Sequence, residues 1–142
     1  MTQTVLFACV HNAGRSQMAA ALFNQLADPT KARAISAGTS PSDHVHPQVV
    51  QVMSEVGMSL TGLVPRLLTP EVARGASFLI TMGCGEACPV VPGIRRDDWP
   101  LEDPKGRSLE AVRAIRDEIA RRVKALISSN CWGRTEIVKE ST

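Results

Sequence analysis

Tyrosine is absent from this 142-residue chain, and only three phenylalanines and two tryptophans stand in for it, so any core must be built mainly from aliphatic side chains. Long apolar runs are missing too. The run nearest the start, residues 4–8, is short, has no basic flank and ends in polar residues. It is therefore read as neither signal peptide nor membrane span, and the protein is expected to be cytoplasmic. Charge of one sign is never concentrated: 16 Lys and Arg face 14 Asp and Glu, a net charge of +2. That excess is too small and too scattered to argue for a nucleic acid or membrane partner, and a small anion suits it better. Cysteine is sparse, at Cys9, Cys84, Cys88 and Cys131. In a cytosolic chain, four thiols argue for thiol chemistry or metal rather than structural disulfides. No internal repeat or low-complexity stretch appears, and the length suits one domain.

What is present begins with Thr4-Val5-Leu6-Phe7-Ala8, which delivers Cys9 into the loop Val10-His11-Asn12-Ala13-Gly14 and on to Arg15-Ser16. A Cys-x5-Arg-Ser loop between strand and helix turns successive backbone N–H groups inward. The helix N-terminus adds its positive end, and the guanidinium offers a two-pronged contact. Residues 10–15 are thus expected to bind an oxyanion. The field that holds an anion also favours a thiolate, making Cys9 a candidate nucleophile.

Along the chain, Met18, Leu22 and Leu26 lie on one face of a helix that Asp28-Pro29 stops. Residues 32–38 read as a strand ending in the Ser36-Ala37-Gly38 turn, and residues 47–56 as a helix ending at Gly57. This βαβ order predicts a parallel sheet. A short helix over residues 70–74, a buried strand over 76–81 and a short fourth strand within 93–99 follow. The last helix, capped by Ser108, turns Leu109, Val112, Ile115, Ile119, Val123 and Leu126 inward and pairs Asp117 with Arg121 and Glu118 with Arg122 outside. The expected domain is residues 1–127. Residues 128–142, with Cys131 and Trp132, are expected to form a flexible tail.

Met82-Gly83-Cys84-Gly85-Glu86-Ala87-Cys88-Pro89 follows the third strand at the sheet edge where ligands of parallel sheets bind, so Cys84 and Cys88 are candidates to meet Cys9. If the segment coils, they stand one helical turn apart, within the Cα separation that a disulfide tolerates. Two unrelated buried thiols, or half of a zinc site completed by His44 and His46, are the alternatives, although no second clear ligand pair exists. The histidines, His11 included, otherwise read as loop residues. In Glu102-Asp103-Pro104, a carboxylic acid opposite the nucleophile could protonate a leaving oxygen, and Asp103 is preferred to Glu102, Asp97 and Asp98.

Taken together, the Cys9-x5-Arg15-Ser16 loop, the Ser36-Ala37-Gly38 turn, the Cys84/Cys88-Pro89 loop and the Trp99 to Asp103-Pro104 segment resemble arsenate reductases of the low-molecular-weight tyrosine phosphatase superfamily, over nearly all of residues 1–127. The resemblance implies a single three-layer α/β/α domain with a four-stranded parallel sheet. It assigns Cys9 as nucleophile, Arg15 as anion clamp, Ser16 as the hydroxyl that stabilises the thiolate, and Asp103 as general acid. Some thioredoxin-coupled relatives bind potassium through acidic side chains; Ala20 and Pro65-Arg66 offer none here, so no metal and no bound cofactor are expected.

The expected reaction reduces arsenate to arsenite, with phosphate and sulfate as competing anions. Cys84 attacks Cys9 and releases arsenite; Cys88 then attacks Cys84 and moves the disulfide outward to thioredoxin. The Met-Gly-Cys-Gly-x-x-Cys-Pro form also resembles reductases that use mycothiol, with mycoredoxin, as electron source. A phosphatase acting on phosphotyrosine or a small phosphoester is the alternative, disfavoured by the absence of tyrosine, since pockets for phosphotyrosine in this superfamily usually present aromatic walls near the Asp-Pro segment. A non-catalytic anion-binding redox module is a third possibility, under which Asp103 has little purpose. The chain is expected to act as a monomer.

Overall fold

Residues 5–9 are buried at every position, as a strand covered on both faces should be. In the computed structural model, which describes residues 2–83 and 93–134, they belong to β1 (Gln3–Cys9). There follow α1 (Arg15–Leu26), β2 (Ala32–Gly38), α2 (Pro47–Ser54), α3 (Pro70–Arg74), β3 (Phe78–Thr81), β4 (Arg95–Asp98) and α4 (Leu109–Ser129). The sheet has four strands in the order β2-β1-β3-β4, and every pairing is parallel. The expected α/β architecture is thus the one observed.

The pleat divides β1 between two cores. Val5, Phe7 and Cys9 face the larger one, with Met18 and Phe23 of α1, Val49 and Met53 of α2, and Ile119 of α4. Leu6 and Ala8 face the smaller one, against Ala73 of α3 and Leu79. The C-terminal ends of three strands converge, since Cys9 pairs with Gly38 and Ala8 with Thr81. At the sheet edge, β4 (Arg95-Arg96-Asp97-Asp98) is exposed throughout, and charge on an outer strand discourages further pairing. No helix among the described residues is long and apolar enough to cross a membrane.

Three expectations need correction. Trp132 is not part of a loose end: it is 7% exposed, and its ring meets Phe23 and Phe78 edge-on at 5.9 and 5.6 Å. Its carbonyl accepts the Asp28 amide at 2.8 Å, so the chain stays docked beyond residue 128 because an indole has an apolar slot to fill. The rest of the expected tail, residues 135–142, lies outside the described residues. On α4, Ile127 is buried where Leu126 is only partly so. Glu118 takes both Arg121 and Arg122, while Asp117 pairs with Arg116 instead of Arg121.

Candidate active site

The loop between β1 and α1 is braced by its neighbour, the segment after β2. Carbonyls of Cys9, Val10, His11 and Ala13 accept the backbone N–H groups of Thr39, Ser40, Ser42 and His46 at 3.1, 2.8, 3.0 and 2.9 Å. With its acceptors satisfied on the outer side, the loop is free to present donors to the inner side. The segment after β2 is therefore the scaffold of this loop, a role without a local motif to reveal it.

Cys9 ends β1 and is 2% exposed. Its Sγ accepts the Asn12 amide at 3.3 Å and lies 2.8 Å from Ser16 Oγ. The direction of the latter contact follows from Asn12. Asn12 Oδ1 accepts the Arg66 backbone N–H at 2.8 Å, which fixes the side-chain amide, and Nδ2 then donates to Ser16 Oγ at 2.7 Å. With a lone pair of Ser16 so engaged, its hydroxyl hydrogen is left for Cys9 Sγ, an arrangement that suits a thiolate. Asn12 also adopts φ +51, the left-handed region that asparagine tolerates. Gln17 braces it, with Nε2 donating to Asn12 O at 3.1 Å and Oδ1 at 3.2 Å. The sequence placed Asn12 in the loop; it did not reveal Asn12 as the hub, because Gln17 and Arg66 reach it through the fold.

Arg15 opens α1 and is buried, its Nη1 donating to the Leu101 carbonyl at 2.9 Å. That bond orients the guanidinium, and Nη2 lies 4.0 Å from Asp103 Oδ2. Gly83, at φ +96, packs against Arg15 so closely that a β-carbon there would strike Nη1. Pro104 likewise closes over Gly14, where a β-carbon would lie 2.5 Å from its Cγ. The segment carrying Asp103 is thus laid against the β1–α1 loop.

Among the acidic candidates, the geometry separates Asp103 from the others. Asp97 accepts Trp99 Nε1 at 3.3 Å, Asp98 accepts Thr81 Oγ1 at 2.6 Å, and Glu102 pairs with Arg107 at 3.2 Å. Asp103 Oδ1 accepts the Lys105 amide at 3.0 Å, and Oδ2 faces Arg15 and His11 Nδ1, the latter at 3.8 Å. His46, at the start of α2, is held below the usual imidazole range by burial, against the pull of Asp103. Cys84 and Cys88 lie outside the described residues. No group of three or more His, Cys, Asp or Glu among the described residues is placed to hold a metal ion.

Comparison with known proteins places this geometry in context. The sequence profile of the family described as low molecular weight phosphotyrosine protein phosphatase matches residues 4–141. A protein of Synechocystis sp. named glutaredoxin arsenate reductase is 35% identical over 127 residues, 87% of this chain and 95% of its own length. Arsenate reductase 1 of Bacillus cereus is 32% identical over 127 residues, 86% of this chain and 92% of its own. The solved structure of the thioredoxin-dependent arsenate reductase of Corynebacterium glutamicum superposes with a TM-score of 0.79 at 40% identity over 90% of this chain. The match spans only 61% of that longer chain.

Proposed function

We propose, from the premise that this chain belongs to the low molecular weight phosphotyrosine protein phosphatase family, that it reduces arsenate to arsenite. The observation that carries the reading is the surroundings of Cys9: a buried sulfur that receives an amide and is set to receive a hydroxyl, at a helix N-terminus beside a buried arginine. These are the conditions under which a thiolate attacks a bound oxyanion. The names of the Synechocystis and Bacillus relatives support arsenate as that oxyanion.

In this reading the loop amides and Arg15 hold arsenate while Cys9 forms a bond to arsenic. Asp103 protonates the departing oxygen. Cys84 then attacks Cys9 Sγ, the electron pair of the S–As bond reduces arsenic, and a Cys9 to Cys84 disulfide forms; Cys88 passes it outward. The contact of Gly83 with Arg15 supports this order, since the residue before Cys84 lies at the anion clamp. Thioredoxin is the favoured electron donor, because a folded partner cannot reach a sulfur as buried as Cys9, and the thioredoxin dependence of the Corynebacterium protein supports it. Glutathione with glutaredoxin, or mycothiol with mycoredoxin, is the other route.

Arsenite formation is measured with thioredoxin, its reductase and NADPH, and separately with each small thiol and its partner. Wild-type protein is expected to turn over with the first mixture, Cys9→Ser to be inactive, and Cys88→Ser to fall sharply. Turnover by Cys9→Ser overturns the mechanism, and turnover with a small thiol alone replaces the donor. Phosphoester hydrolysis remains the second reading because it needs only Cys9, Arg15 and Asp103, all at the described site. Aryl phosphate hydrolysis that exceeds arsenate reduction and survives Cys84→Ser would establish it.

A further inference from the structure

We infer that Gly83 is a positioning residue for oxyanion binding: its bare α-carbon leaves the space in which the Arg15 guanidinium lies, so the chain leading into Cys84 sets how Arg15 is presented to a bound anion. The inference rests on the reading of Arg15 as anion clamp and deepens it.

The guanidinium has little freedom. Arg15 is 6% exposed, and its Nη1 donates to the Leu101 carbonyl at 2.9 Å. Gly83 closes on it from the other side: a β-carbon there would strike Nη1 and lie 3.4 Å from Cζ and 3.8 Å from Nη2. The end of a long side chain ordinarily swings aside from such a contact. Here it could do so only by giving up the Leu101 carbonyl and moving Nη2 from its place 4.0 Å from Asp103 Oδ2. Nor is Gly83 free to retreat, because the chain before it is tied into the sheet. The Met82 amide donates to the Ala8 carbonyl at 2.7 Å, and the Thr81 carbonyl accepts the Trp99 amide at 2.8 Å. An arginine recognises a tetrahedral oxyanion through paired N–H groups in a fixed plane. A shift of about an ångström in that plane is enough to spoil the match.

Gly83 also carries a backbone requirement, since its φ of +96 disfavours any β-carbon. That requirement by itself concerns the turn and not the anion, and a second glycine separates the two. Gly93, just before β4, has a φ of +83, and a β-carbon there would meet no atom within 4 Å among the described residues. A substitution at Gly93 brings the strain alone, whereas one at Gly83 brings the strain and the collision with Arg15. Anion affinity is on this view not a property of the β1–α1 loop alone, because a residue 68 positions beyond Arg15 shapes the clamp.

The test is calorimetric titration of the reduced, full-length protein with inorganic phosphate, below the melting transition of each variant, alongside thermal unfolding. Gly83→Ala is expected to bind phosphate roughly tenfold or more weakly than wild type, and Gly93→Ala to stay within about threefold of it. Asparagine tolerates positive φ yet keeps a β-carbon. Gly83→Asn should therefore melt above Gly83→Ala and bind phosphate no better, a split that a merely structural role would not produce. Phosphate affinity in folded Gly83→Ala within about threefold of wild type overturns the inference. So does an equal loss in Gly93→Ala, or affinity that returns with stability in Gly83→Asn. Failure of both Gly83 variants to fold while Gly93→Ala folds marks Gly83 as structural and overturns it too. Wild-type protein that binds no phosphate removes the clamp reading and the inference together. Wild-type protein that binds phosphate with the expected losses in the variants but forms no arsenite fails the reductase reading and leaves the inference standing.

Discussion

At the scale of single residues, the site depends on side chains that touch no substrate. Asn12 joins four groups: the Arg66 amide and Gln17 Nε2 on one oxygen, Ser16 Oγ on its nitrogen, and Cys9 Sγ through its own backbone. Removing it strands the part-buried Arg66 amide and leaves Gln17 Nε2 with the Asn12 carbonyl alone, at about 1–3 kcal/mol per lost partner, while the β-carbon stays at φ +51 without the side-chain amide that lets asparagine occupy it. Asn12→Ala is expected to lose about 3 kcal/mol in denaturant unfolding and to bind phosphate at least tenfold more weakly. Asn12→Gly relieves the backbone strain without restoring the hydrogen bonds. It should recover part of the stability and none of the phosphate affinity. Equal phosphate affinity in Asn12→Ala and wild type, by calorimetric titration, would remove Asn12 from its place as hub.

Among elements, α2 and α4 share an apolar core, and an electrostatic tie added at its rim predicts a pH response. Glu55 follows α2 and accepts Arg113 Nη2 at 2.7 Å and Nε at 3.0 Å, together with Arg116 Nη1 at 3.0 Å. Hydrogen bonds from Arg113 above all hold the Glu55 carboxyl down at about 2, against an ordinary 4.5. A carboxyl lowered by folding contributes stability in full above its unfolded value and loses it as pH falls through the folded one. The contribution is thus complete above pH 4.5 and gone near pH 2. Glu55→Gln should lower the melting temperature at pH 7 and narrow its gap to wild type toward pH 2, by thermal denaturation across that range. A gap that does not depend on pH would show the pair to contribute nothing through charge. The carboxylate is solvent-exposed, so the effect should also fade in high salt.

For the molecule as a whole, the two edges of the sheet do different work. The C-terminal edge gathers Cys9, Arg15 and Asp103, while the opposite edge is closed by Trp132 on Phe78, the partner of Val5. Val5 is four residues before Cys9, roughly 13 Å along a strand. Trp132→Ala should therefore cost about 3–5 kcal/mol of stability, as other buried tryptophan truncations do. The rate per folded molecule should be unchanged. Thermal unfolding and arsenite formation below the melting transition check both parts, and a wild-type melting temperature would return residues 130–134 to the status of a dispensable tail.

The sequence by itself determined what short-range chemistry dictates. The run into Cys9 is a strand because apolar residues buried on both faces form one. The helix starts at Arg15 because a loop has just ended there, and Ser108 caps α4 through the Ala111 amide at 3.2 Å. Cys9, Arg15 and the loop between them were legible because their spacing is local. The preference for Asp103 was already legible in the sequence; only the tertiary structure set its carboxylate beside Arg15 and His11 and made Asn12 the hub through Arg66, 54 residues away. It also docked Trp132, whose slot is formed by residues distant in the chain. The physical reason is the same in each case. A hydrogen bond or ring contact between residues far apart in sequence depends on where the sheet and helices bring the chain back, and no pattern of neighbours along the chain encodes that position.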